Sequence, residues 1–122
     1  MVITSVKDLL LGVGCFLMGH ILVWYQLNGQ FLWKSFRENE WIVAAAGFII
    51  SFFFIWGTKY TVDAMEGMLW PARFIGFSIG MLQYALFVNY YFSEGMNLKT
   101  WVSLSICFVL IGIQVLWKTQ ST

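Results

Sequence analysis

The sequence predicts an all-α integral membrane protein with four transmembrane helices in a compact bundle. Three observations carry this. The chain of 122 residues is 60% hydrophobic and 20% aromatic, and only 11% of it is charged, where a soluble domain carries about 25%. Its apolar residues gather into four runs, near 9–26, 41–57, 69–92 and 98–117. Each approaches the ~17–25 residues with which a helix crosses about 30 Å of hydrocarbon. The charges avoid those runs: Arg73 alone lies inside one, near its start, and Lys99 sits at an edge. A soluble globular domain is excluded, because there is too little polar surface to cover it. One domain over 1–122 accounts for the length.

The first run follows Lys7 and Asp8. A lysine ahead of an apolar stretch has the outline of a secretory signal. No small-x-small cleavage site follows, and the run ends in WYQLNGQ, so it is expected to be a retained first span. The second run, with IVAAAGFIISFFFIW at its centre, does not alternate apolar and polar residues as a barrel strand does. In the third, Pro71 falls in the first helical turn, where its missing N–H costs nothing. The fourth follows SEGMN at 93–97. That link is short enough to force an antiparallel hairpin, with Gly95 and Asn97 supplying turn conformers.

Of the other links, 27–40 mixes Phe31, Leu32 and Phe36 with Lys34 and Arg37, the pattern of a short interfacial helix. Residues 58–68 read as the second link. Tryptophans bracket the spans: Trp41 and Trp56 the second, Trp101 and Trp117 the fourth. All seven read as interface anchors, with ligand stacking by Trp24, Trp56 or Trp70 as the other reading. Four spans put both termini on one side, with Lys7, Lys59, Lys118 and Arg73. Lys34, Arg37 and Lys99 lie on the other. This bias of one charge places both termini in the cytoplasm and leaves room for dual topology.

Small residues mark close helix contacts in lipid. Ala72, Gly76 and Gly80 form a stripe at four-residue spacing; Ser105 and Gly112, and Gly12 and Gly19, are seven apart. Packing within the chain and packing in an oligomer are both open. Polar residues inside spans usually face protein or a water-filled cavity. His20, the only histidine, is the natural proton switch if wetted, since an unperturbed imidazole titrates near pH 6.5. Its bland alternative is a neutral imidazole hydrogen-bonded to a backbone carbonyl or to a neighbouring polar group. Gln83 is an expected interhelical partner for it. His20, Gln83, Trp24 and Asn89 are thus the candidate substrate or proton path. Arg73, with Glu66 and Asp63 just before it, is the candidate charge at a cavity mouth, or a snorkelling residue paired with one of those acids.

Cys15 and Cys107 lie in apolar stretches without metal-site spacing and read as buried thiols. With no nucleophile elbow, metal spacing, phosphate loop or paired intramembrane carboxylate, no enzyme, catalytic residue, metal or cofactor is expected. A net charge of +1 without a basic run gives no footprint for nucleic acid.

The layout resembles the small multidrug resistance family, the four-helix branch of the drug/metabolite transporter superfamily. Four spans, one ionisable group in the middle of the first, and YYFSEGMNLKTWVSLSICFVLIGIQVLWK at the end carry the likeness. The resemblance implies a dimer that moves small molecules across a bilayer. The family's first-helix glutamate is absent here, and His20 falls where it would be expected. The expected function is therefore small-molecule transport by a homo-oligomer, with a dimer favoured. A non-catalytic membrane scaffold or accessory subunit is the alternative, and a holin-like pore former a further one.

Overall fold

The computed structural model describes residues 3–94 and 96–117. Among them there is no strand. Helix α1 covers Val6–Asn28 and runs into a 3₁₀ turn at Gly29–Phe31. The short helices α2 (Lys34–Glu38) and α3 (Glu40–Ala45) follow, then α4 (Gly47–Ala64), α5 (Leu69–Phe92) and α6 (Leu98–Leu116). Four stretches are long and apolar enough to cross a membrane: Val6–Phe31, Glu40–Ala64, Leu69–Phe92 and Leu98–Leu116.

The caps explain where these helices begin and end. Ser5 caps α1, its hydroxyl accepting from the Asp8 N–H at 3.2 Å. Asn97 caps α6 in the same way, through the Thr100 N–H at 2.9 Å. Each such cap contributes about 1 kcal/mol. Asn97 is therefore a helix cap, while Gly95 lies outside the described residues. Among the described residues of this hairpin, Ser93 holds a left-handed conformer, at φ 52°. Helix α4 runs beyond the apolar stretch that ends at Gly57, through Thr58 and Lys59 to Ala64. Hydropathy falls after Gly57, and helical hydrogen bonding continues past it. The end of α4 is closed by Glu66 at φ 60° and by the Gly67 N–H, which donates to the Val62 carbonyl at 2.9 Å, a Schellman closure. Thr4 covers what remains: its N–H donates to the Ala64 carbonyl at 2.8 Å, and its hydroxyl reaches the carbonyls of Asp63 and Ala64. The start of α1 is thereby tied to the end of α4.

Helix α1 lies against both α4 and α5, and α6 packs on α5. The α1 face is Gly12, Phe16 and Gly19, all buried, at the three- and four-residue spacing of one helical side. A Cβ on Gly12 would clash with Thr61 Oγ1 and lie 2.9 Å from the Thr61 main-chain nitrogen, so the two backbones approach closely there. Gly19 faces Phe53 and Phe54. Phe16 is wedged between two glycines: a Cβ would lie 2.9 Å from its ring at Gly57 and 3.2 Å at Gly76. Gly12, Gly19, Ala72 and Gly76 thus pack within the chain. Ser105 and Gly112 do not: Ser105 is exposed, and among the described residues nothing lies within 4 Å of a Cβ at Gly112. Helix α6 buries Leu104 and Cys107 and leaves Trp101, Phe108 and Trp117 outward.

Candidate functional site

The candidate site is a groove floored by α1 and walled by α4 and α5. Its volume is about 460 Å³, within the roughly 300–1,000 Å³ of small-molecule sites. Phe16 and His20 come from α1, Phe54 and Thr58 from α4, and residues from Leu69 to Tyr84 from α5. Thr58, Arg73, Phe77, Met81 and Tyr84 are exposed, so the groove opens outward along the α5 side.

His20 occupies its floor. The imidazole donates from Nε2 to the main-chain carbonyl of Gly76 at 2.9 Å. The ring rests on the next turn of α5, where a Cβ at Gly80 would lie 2.5 Å from Cε1 and 2.7 Å from Nδ1. Phe54 meets it edge-on, with ring centroids 5.0 Å apart. Gly76 and Gly80 therefore supply the space for two α1 side chains, Phe16 and His20. The bond to the Gly76 carbonyl requires a proton on Nε2; when the ring is neutral, Nδ1 is then its acceptor.

Arg73 lines the same groove about one turn before Gly76 and is exposed. It makes no ion pair among the described residues, where the pair is Lys34–Glu38 at 3.6 Å. Asp63 and Glu66 are exposed and do not line the groove. The expected grouping of these acids with Arg73 at the cavity mouth is therefore not formed at the groove. The lining as a whole contains His20 and Arg73 but no aspartate or glutamate.

The remaining expected path residues separate. Gln83 is 4% exposed, and its Nε2 has no hydrogen-bond partner. It does not serve as the partner of His20, which bonds to a backbone carbonyl instead. Asn89 is exposed and lines no part of the groove. Trp24 is 1% exposed, so this tryptophan is not an interface anchor. It stacks on Tyr91 at 5.2 Å and meets Phe87 edge-on at 5.3 Å. Tyr25 and Tyr91 share a hydroxyl hydrogen bond of 2.7 Å beside it, and Trp33 stacks on Tyr25. This aromatic cluster ties the last turns of α1 and α5 to the 27–40 link.

A second cavity, of about 600 Å³, lies between the end of α1 and the α2–α4 segment, lined by Tyr25, Gln26, Phe36, Asn39 and neighbours. Gln26 crosses to the α3–α4 break, its Nε2 donating to the Val43 carbonyl at 3.1 Å. It carries amides and hydroxyls but no charged side chain. Charged side chains, Glu94 and Lys99, also line a third cavity beside the start of α6; the His20 groove differs in pairing its ionisable groups with a wall of aromatic side chains. Gly57, Phe54 and Thr58 escaped the sequence reading. Gly57 and Thr61 are four residues apart, a small-residue spacing that was readable but straddles the apparent end of the apolar run.

Comparison with protein-family models, with curated proteins and with solved structures gives no match. The functional reading therefore rests on the groove itself.

Proposed function

We propose that this chain is a multi-pass integral membrane protein with its helices bundled in the bilayer, and that it binds and moves a small molecule through the groove above His20. The single observation that carries this is the position of the imidazole. It lines the floor of an aromatic groove that opens outward along α5, beyond the backbone hydrogen bond to Gly76 that a purely structural histidine would also make. Ionisable side chains within apolar spans are costly, and they mark ligand or proton paths. Four helices enclose little volume, so a homo-oligomer, and a dimer first, completes the path. No step needs a metal or a cofactor, and the chain acts without catalysis.

The test is flux in proteoliposomes loaded with a pH-reporting dye and challenged with neutral, anionic and cationic aromatic solutes. At least one solute is expected to drive flux that falls tenfold or more in His20→Ala. Flux equal to that of empty liposomes for every solute would remove the transport reading.

A scaffold or accessory role is the second reading, favoured by α6. Its outward face carries Trp101, Ser105, Phe108 and Gly112 with no neighbour at Gly112. Gly112→Leu is then expected to disperse a complex on native gels and leave flux intact.

A further inference from the structure

We propose that the occupant of the His20 groove is a long-chain carboxylate, with its head at Arg73 and its chain laid along α5. This presupposes that the groove is a ligand site, as argued above, and adds the class of ligand.

Charge decides the sign of the head. Among the described residues, the two lining side chains able to carry positive charge are His20 and Arg73, and no carboxylate lines the groove. A lipophilic cation would enter with no counter-charge in the lining and a guanidinium facing it. An anion meets a guanidinium without an ion pair among the described residues. Arginine offers a planar fork that binds a carboxylate through two parallel hydrogen bonds. The hydroxyl of Thr58 lines the same mouth from α4. Thr58 and Arg73 lie on either side of the Met65–Met68 link, six residues before the end of α4 and four after the start of α5. They therefore lie at similar depths.

Shape decides the tail. Arg73 is about 6 Å from the first residue of α5, shallow enough for its head to reach the interface. From Arg73 to Tyr84 the lining advances about 17 Å along the helix. That is close to the ~15 Å of hydrocarbon in one leaflet. The walls past Arg73 are Phe77, Met81, Tyr84, Phe16 and Phe54. One chain lies along this single narrow strip, and the outward opening lets it enter sideways from the bilayer.

The test uses a diazirine-bearing palmitic acid with the full-length chain in phosphatidylcholine nanodiscs, photolysed and mapped by mass spectrometry. Label is expected on the α5 peptide that contains Phe77, Met81 and Tyr84. Excess palmitate should compete it away; hexadecyltrimethylammonium should not. Arg73→Gln should lower labelling at least fivefold, and Arg73→Lys should keep more than half. Equal competition by the cation, or labelling unchanged in a monodisperse Arg73→Gln protein, overturns the assignment. So does competition by phosphatidylglycerol with none by palmitate. If Arg73→Gln does not fold, the competition pattern in the unaltered chain decides alone. The two readings fail separately: palmitate held without any flux keeps the site and removes transport. His20-dependent flux of a cation with no palmitate label does the reverse.

Discussion

His20 and Gly76 are joined by one hydrogen bond across α1 and α5, from imidazole Nε2 to a main-chain carbonyl 2.9 Å away. The bond is possible because α5 presents glycine at both 76 and 80, so the ring can approach the backbone.

Gly80→Ala should break this arrangement. The new methyl would lie 2.5 Å from the imidazole, and the ring must leave the α5 surface. Overpacking of this kind costs about 1–3 kcal/mol. Thermal unfolding in detergent should show a lower midpoint, and His20-dependent flux should be lost. Gly14→Ala is the control, because nothing lies within 4 Å of its Cβ; its midpoint should stay or rise slightly. Equal effects from the two would show that His20 does not rest on Gly80.

Gly12→Ala should loosen the α1–α4 contact. Thr61 Oγ1 can rotate away, but the Thr61 nitrogen at 2.9 Å and the Gly57 carbonyl at 3.1 Å are backbone. The expected loss is again about 1–3 kcal/mol. Adding Thr61→Ala should recover only part of it in the same melts. Full recovery would mean that the side chain alone sets the approach.

The fold was legible where physics writes into composition. Helices long and apolar enough to cross a membrane are written as uncharged runs, so four of them and their links could be read from charge and hydropathy. The extension of α4 to Ala64 could not be read so, because Lys59 and Asp63 are polar yet sit well in a helix. At the site, His20 and Arg73 stood out as ionisable groups in apolar runs. The partner of His20 did not, since every residue carries a backbone carbonyl and no side chain announces which one will be used. Gln83 looked like that partner by type and depth. Instead it is buried with its amide nitrogen unpartnered.

Tyr25 and Tyr91 should show coupling. Their hydroxyls are 2.7 Å apart, and such bonds in membrane proteins average about 0.6 kcal/mol, up to about 1.7. A double-mutant cycle of Tyr25→Phe and Tyr91→Phe, read by unfolding in sodium dodecyl sulfate, should return a coupling in that range. The double variant should be more stable than the sum of the single losses implies. A coupling of zero would separate the two hydroxyls.

Ser93→Gly should stabilise the α5–α6 hairpin. Ser93 holds φ 52°, a left-handed conformation that costs a residue with a Cβ roughly 1–2 kcal/mol. A rise in the thermal midpoint is expected, and Ser93→Val should lower it. A lower midpoint in Ser93→Gly would mean that this turn is not left-handed.

The most direct test of the groove uses the fact that the chain has one histidine. Nitrogen-15 histidine labelling gives a single imidazole, readable by solid-state magnetic resonance in bilayers. A proton on Nε2 is expected, hydrogen-bonded and slow to exchange, with both ring signals shifting when palmitate is added. A ring protonated on Nδ1 alone, or one that exchanges like a solvent-facing imidazole and ignores palmitate, would contradict it.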